Sequence, residues 1–267
     1  MKGYAKPLHE FIEGHKIQFV IPVYQRNYEW LIDNCAQLFS DLVKLSRSNR
    51  CSHFFGSIVT SSADSSYNRL VIDGQQRLTT ISLLLLAGIK AVKDGALEIS
   101  EESKIDEAYE VFLKAKFCNS ERKIKLVPIE NDRIAYDKIF NEEDSFDEDS
   151  KGTRNYRHFY DLLTRKPQAL SFDQLLDAIE RLQIISIELG KDDDAQLIFE
   201  SLNSTGLALT EADKIRNYIL MSLMPEEQQV CFNDYWQKIE YKTENQPTRF
   251  LRDYLTIQQQ LQRPVRQ

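Results

Sequence analysis

Three short stretches carry residue types at spacings that suit phosphate chemistry. The first is Ile72-Asp73-Gly74-Gln75-Gln76-Arg77-Leu78-Thr79-Thr80. Gly74 lets the backbone turn tightly and approach a ligand, and Arg77 offers a planar, permanently charged fork for phosphate oxygens. Thr79 and Thr80 add hydroxyls, and Asp73 is suited to hold magnesium directly or through water. A structural account competes: Asp73 caps a helix whose exposed first turn is Gln75, Gln76 and Arg77. Spacing alone leaves both open. The second stretch is Ile21-Pro22-Val23-Tyr24-Gln25-Arg26-Asn27-Tyr28-Glu29-Trp30. Arg26 can grip phosphate while Tyr24, Tyr28 or Trp30 stacks on a base. The same rings can instead pack beneath the following helix, with Arg26 paired to Glu29. In the third, Ile198 to Asp213, Asn203 to Gly206 reads as a helix end and Thr210-x-x-Asp213 as a capping box. A helix–turn–helix corner suffices there, although Asn203 and Ser204 could face a ligand.

The elements that must position these residues follow from periodicity. Ile17, Phe19 and Ile21 alternate as in a half-buried strand closed by Pro22, and 24–30 reads as a loop. Leu31, Cys35, Leu38, Leu42 and Leu45 recur at helical spacing, with Asp33 as the expected N-cap. Residues 54–59 and 69–72 read as a hairpin around the turn-rich 61–68 segment. Residues 78–92 have the length and composition of a buried helix. Strand, glycine turn and helix in that order aim backbone N–H groups at an anion. Beyond residue 95 helical periodicity dominates, at 105–117, 132–140, 156–163, 172–182, 195–202, 211–223, 226–239 and 248–261. Short strands are expected at 123–127 and 184–189. The fold class is therefore read as α+β, with an α/β lobe over residues 1–95 and a mainly helical lobe over 96–267.

Composition narrows the function classes. The 267 residues hold 34 Lys and Arg against 41 Asp and Glu, with only 9 Gly and 7 Pro, as in an ordinary globular protein rather than a low-complexity chain. The longest apolar run, near Ile81 to Gly88, is far shorter than the ~18–20 residues that span a bilayer, so no membrane partner is expected. The first residues lead into Pro7, His9 and Glu10, unlike a secretory signal. Cys35, Cys51, Cys118 and Cys231 lack paired spacing, which suits free thiols and a cytoplasmic location. The widely spaced His9, His15, His53 and His158 read as surface or core residues. The acidic segment 141–149 reads as a solvated loop. Walker, Rossmann, zinc-protease and serine-hydrolase signatures are absent.

Four motifs in order then carry a resemblance: Ile21-Pro22-x-Tyr24-Gln25-Arg26-x-Tyr28-x-Trp30, Phe55-Gly56-Ser57-Ile58, Asp73-Gly74-Gln75-Gln76-Arg77-Leu78-Thr79-Thr80, and Phe199-Glu200-x-Leu202-Asn203-Ser204-x-Gly206-x-x-Leu209-x-x-Asp213. From about residue 8 to 224 the chain resembles the N-terminal domain of the GmrSD-type, modification-dependent restriction endonucleases. The resemblance implies a ParB/sulfiredoxin-like α/β lobe followed by helices, in a prokaryotic phage-defence protein. It implies a nucleotide site formed by Asp73, Gly74, Gln75, Gln76 and Arg77 and faced by Gln25 and Arg26. Nucleoside triphosphate binding and hydrolysis would regulate cleavage of modified DNA.

The resulting expectation is a nucleotide-binding sensor domain that hydrolyses a nucleoside triphosphate with magnesium. Asp73, Arg77 and Arg26 are the expected catalytic residues, and Asp73 is the metal ligand. Gln25, Arg26, Asp73, Gly74, Gln75, Gln76, Arg77, Thr79 and Asn203 are expected to bind the nucleotide. Glu29 and Glu200 are the candidates for the base that activates water. Many relatives continue into an HNH-type nuclease, whereas this chain stops at Gln267, so cleavage is expected from a nuclease domain or subunit elsewhere. The rival expectation is a non-catalytic module that docks a partner or DNA along Lys151, Arg154, Arg157, His158, Arg165 and Lys166.

Overall fold

The alternating and β-branched runs of the first two hundred residues pair into one mixed six-stranded sheet, in the order β1-β6-β3-β4-β2-β5. The computed structural model describes residues 1–62, 67–118, 123–143, 145–167, 169–190, 193–203, 209–244 and 246–261. The chain forms two units, one of Met1–Pro22 with Asn27–Asp193, the other of Val23–Arg26 with Asp194–Gln267.

In the first unit the chain runs β1 (Lys2–Pro7), α1 (Leu8–Ile12), β2 (Gln18–Val20), α2 (Ile32–Ser46), β3 (His53–Ser62), β4 (Asn68–Asp73) and α3 (Gln75–Lys93). It continues with α4 (Ser103–Ala108), β5 (Leu126–Val127), α5 (Glu130–Phe140), α6 (Lys151–Thr164), α7 (Phe172–Glu180) and β6 (Leu182–Leu189). A single π turn, Tyr109–Leu113, extends α4 and ends the helix four residues before the expected Phe117. β3 and β4 pair antiparallel, as the hairpin pattern predicts, while β3 runs parallel to β6 and β2 lies parallel to both β4 and β5. The expected lobe boundary at residue 95 is corrected by β6, which sits between β1 and β3 and so stitches residues 182–189 into the sheet.

α3 is apolar around most of its circumference, with Ile81, Leu83, Leu84, Leu85, Ala87 and Ile89 essentially inaccessible, and it packs against α5, α6 and α7. All-round apolarity is what a helix enclosed by neighbours requires. It begins three residues before the predicted Leu78, because Gln75 and Gln76 are buried although polar. The expected cap on α2 also moves: Leu31 is the N-cap and Asp33 lies in the first turn, where a carboxylate favours the helix dipole. Lys125, beside β5, is fully buried and donates to the carbonyls of Glu110 and Val111 at the π turn, and burial pulls its ammonium down to about 8.

The second unit contains α8 (Ala195–Asn203), α9 (Glu211–Met221), α10 (Pro225–Cys231), a π turn at Phe232–Trp236, α11 (Gln237–Lys242) and α12 (Pro247–Leu261). Thr210 and Asp213 form the predicted capping box: Thr210 Oγ1 accepts from Asp213 N–H at 3.1 Å, and the Asp213 carboxylate accepts from Thr210 N–H at 3.0 Å. Among the described residues no helix is long and apolar enough to cross a membrane.

Candidate functional site

The corner where β4 becomes α3 brings Asp73, Gly74, Gln75, Gln76 and Arg77 together in the first unit. Asp73 closes β4 opposite Val59 of β3. Gly74 is the N-cap, with φ at +98°, and a Cβ there would lie 2.9 Å from Ile58 Cγ1 and 3.2 Å from its Cα. The left-handed conformation and the closeness of β3 both select glycine. The corner therefore excludes Asp73 as the N-cap, and Gly74 supplies no capping side chain. The first bond of the helical ladder runs from Leu78 N–H to Gly74 C=O at 3.1 Å, so the first-turn amides point out of the helix toward the corner.

Arg77 is held by β3. Because β3 and β4 are antiparallel and Asp73 faces Val59, the residues before Val59 run past the end of β4 alongside the first turn of α3. Arg77 Nη1 donates to Ser57 C=O at 3.1 Å and lies 3.8 Å from Asp73 Oδ2. The side chain keeps 29% of its surface exposed, and among the described residues its Nε–H and Nη2 donors have no partner. That edge can receive two oxygens of one phosphate or carboxylate group.

Gln76 turns the other way. Its Oε1 accepts from the N–H of Glu29 at 2.8 Å and of Trp30 at 3.2 Å, while its Nε2 donates to Asn27 C=O at 3.2 Å. Its amide therefore clamps the 27–30 loop. Thr79 is buried beside Tyr28, Leu83, Asp132 and Tyr136. Thr80 is fully buried; its hydroxyl donates to Gln76 C=O and shares a 2.7 Å hydrogen bond with Tyr28 Oη.

Among the described residues the 27–30 loop has no strand partner, and side chains of three helices replace one. Tyr28 N–H donates to Asp132 Oδ2 at 2.7 Å, and Asn155 Nδ2 donates to Trp30 C=O and to Tyr28 Oη. Burial, reinforced by the nearby Glu29 carboxylate, raises Asp132 to about 6 against the opposing Tyr28 N–H. Glu29 is ion-paired with Lys151. Tyr28 and Trp30 are thus packed and anchored residues.

Gln25 and Arg26 fall in the second unit; Gln25 is buried and Arg26 half-buried. The segment carrying them is held by Arg216, whose Nε donates to Tyr24 C=O at 2.9 Å while its other nitrogens pair with Asp213 at 2.8 Å and Glu240 at 3.0 Å. The side chains of Asn203 and Glu200 lie outside the described residues, as does Ser204. On α6, Lys151 pairs with Glu29, Arg157 with Glu148, and Arg154 donates to Asp149 C=O, so this basic stretch is largely engaged locally. Burial depresses His158.

Sequence reasoning missed Asp132, Asn155 and Arg216, which occur inside helical stretches with no distinguishing spacing. Gly56 and Ser57 had a signal, the Phe55-Gly56-Ser57-Ile58 motif, but nothing in it points to Arg77. For metal binding, Asp73 is one hard carboxylate oxygen source beside a phosphate-ready arginine. That fits a magnesium ion arriving with phosphate and water ligands. Among the described residues no group of three or more His, Cys, Asp or Glu is placed to hold a metal.

The family model described as the GmrSD restriction endonuclease, N-terminal domain, matches residues 8–220. No curated protein matches the chain. The match covers well over half of the 267 residues, and the chain belongs to this family.

Proposed function

We propose that this member of the GmrSD N-terminal-domain family is a nucleotide-binding regulatory domain of a prokaryotic modification-dependent restriction, phage-defence system, and that it hydrolyses a nucleoside triphosphate. On this reading the sheet with α3 is the ParB/sulfiredoxin-like lobe implied by the sequence motifs. One observation supports it most: Arg77 is fixed at the N-terminal end of α3 with its Nε and Nη2 donors unpartnered among the described residues, beside Asp73.

The chemistry follows from that arrangement. A terminal phosphate accepts two hydrogen bonds from Arg77 and meets the positive end of α3, so charge developing on its oxygens is stabilised. A bound magnesium ion would neutralise further phosphate charge, and Asp73 is the residue that would hold it. Asp73 also restrains Arg77, since its carboxylate stands 3.8 Å from Nη1. Gln76 contributes through the loop it clamps. Cleavage of modified DNA belongs to a nuclease domain or subunit outside these residues.

The test is binding and hydrolysis of the four ribonucleoside triphosphates with magnesium, on wild type and Arg77→Ala in parallel. Removing a charge-assisted bidentate contact is expected to weaken binding at least about tenfold. Unchanged affinity and turnover in Arg77→Ala would exclude the site. If folded wild type binds none of the four, the DNA- or partner-docking reading takes precedence.

A further inference from the structure

We propose that Gly56 is the positioning residue for Arg77: the glycine leaves the space its Cβ would fill, and the guanidinium plane lies there. A Cβ on Gly56 would stand 2.6 Å from Arg77 Nε, 2.8 Å from Cζ and 3.0 Å from Nη2. In a planar guanidinium, a point approaching the Nε/Nη2 edge within the plane is farther from Cζ than from either nitrogen. Here the Cζ distance falls between the other two, so the missing Cβ lies over the flat face. The bare backbone of β3 thus forms a floor beneath the arginine.

The local backbone builds that floor. Gly56 has φ at +118°, and the β3–β6 register shifts between Phe54 and Gly56, a bulge in β3. The next carbonyl, Ser57 C=O, accepts from Nη1. With one face on Gly56 and Nη1 tethered to Ser57, rotation about the Nε–Cζ bond and swinging of the side chain are both blocked. The orientation that results keeps the Nε/Nη2 edge for a bidentate oxyanion, the terminal phosphate of a nucleotide; this last step rests on the function proposed above. Pre-orientation of this kind reduces the entropy lost when the ligand binds.

A double-mutant cycle on the full chain separates the seat from the strain that alanine suffers at positive φ, because the strain is common to both backgrounds. Gly56→Ala is expected to lower magnesium-triphosphate affinity about tenfold when Arg77 is present and to add less than about twofold when Arg77→Ala is already in place. Its loss of Tm should likewise be larger with Arg77 present, where the new methyl strikes the guanidinium. Equal Tm losses in the two backgrounds would overturn the proposal, as would wild-type affinity in Gly56→Ala. A measurement on wild type needs no variant to fold: Arg77 should show hindered Nε–Cζ rotation by NMR, and free rotation would also overturn it. Should Arg77→Ala leave triphosphate binding intact, the nucleotide reading fails, while the Tm cycle and the rotation still judge the seat.

Discussion

Asp132 shows how a side chain can serve a loop at a cost that depends on pH. Its carboxylate accepts the 2.7 Å bond from Tyr28 N–H, yet burial and Glu29 raise it to about 6. An aspartate raised above its unfolded value binds more protons in the folded state, so between about pH 4 and pH 6 its charging lowers stability as pH rises. The penalty is complete above pH 6 and absent well below pH 4. Asp132→Asn keeps an oxygen for Tyr28 N–H and removes the charge. The variant is expected to gain about 1–3 kcal/mol relative to wild type at pH 8, and little at pH 4. Thermal melts of both proteins at the two pH values check this. A loss of stability that is the same at both would show that the carboxylate's charge is not what matters.

Among elements, the 27–30 loop and the start of α3 show where sequence reading stopped. Apolar spacing locates α3 from Leu78 onward because leucines and isoleucines report burial directly. It misses Gln75 to Arg77, whose place in the helix depends on hydrogen bonds and on Gly74. The β3–β4 hairpin was legible from its β-branched runs, and the Thr210–Asp213 cap from its three-residue spacing. β1 was not, since Lys2 to Pro7 is mostly exposed and pairs with residues 183–188 at the far end of the unit. Gln76 is a ligand-binding candidate only through the family resemblance; its partners Glu29, Trp30 and Asn27 lie nearly fifty residues earlier. Gln76→Ala leaves two N–H groups and one carbonyl unmatched, at a cost of about 1–3 kcal/mol. Hydrogen exchange should speed up first at Glu29 and Trp30, with the middle of α3 still protected. Triphosphate affinity should fall less than in Arg77→Ala; an equal or larger fall would place Gln76 in direct contact with the nucleotide.

On the scale of the whole molecule, the chain is divided in a way that sequence composition did not suggest, because the four residues Val23–Arg26 join a unit whose other members begin at Asp194. Arg216 makes that long-range membership physical. Its side chain is only 6% exposed, donates to Tyr24 C=O, pairs with Asp213 and Glu240, and lies 6.0 Å from the Trp236 ring centroid. Asp213 therefore has two tasks, capping α9 and neutralising Arg216, whereas its three-residue spacing from Thr210 revealed only the first. Arg216→Ala would leave two partly buried carboxylates without their shared cation and Tyr24 C=O without its donor. Breaking a buried pair from one side costs about 3–5 kcal/mol, the larger part from the charges left behind. A cation is what those carboxylates lack, so Arg216→Lys should recover part of the loss, and Arg216→Met, which keeps bulk beside Trp236 without the charge, should not. Calorimetry of wild type and the three variants measures this. An Arg216→Met protein as stable as wild type would assign Arg216 a packing role through Trp236, and the ion pairs would then contribute little to holding Val23–Arg26 in place.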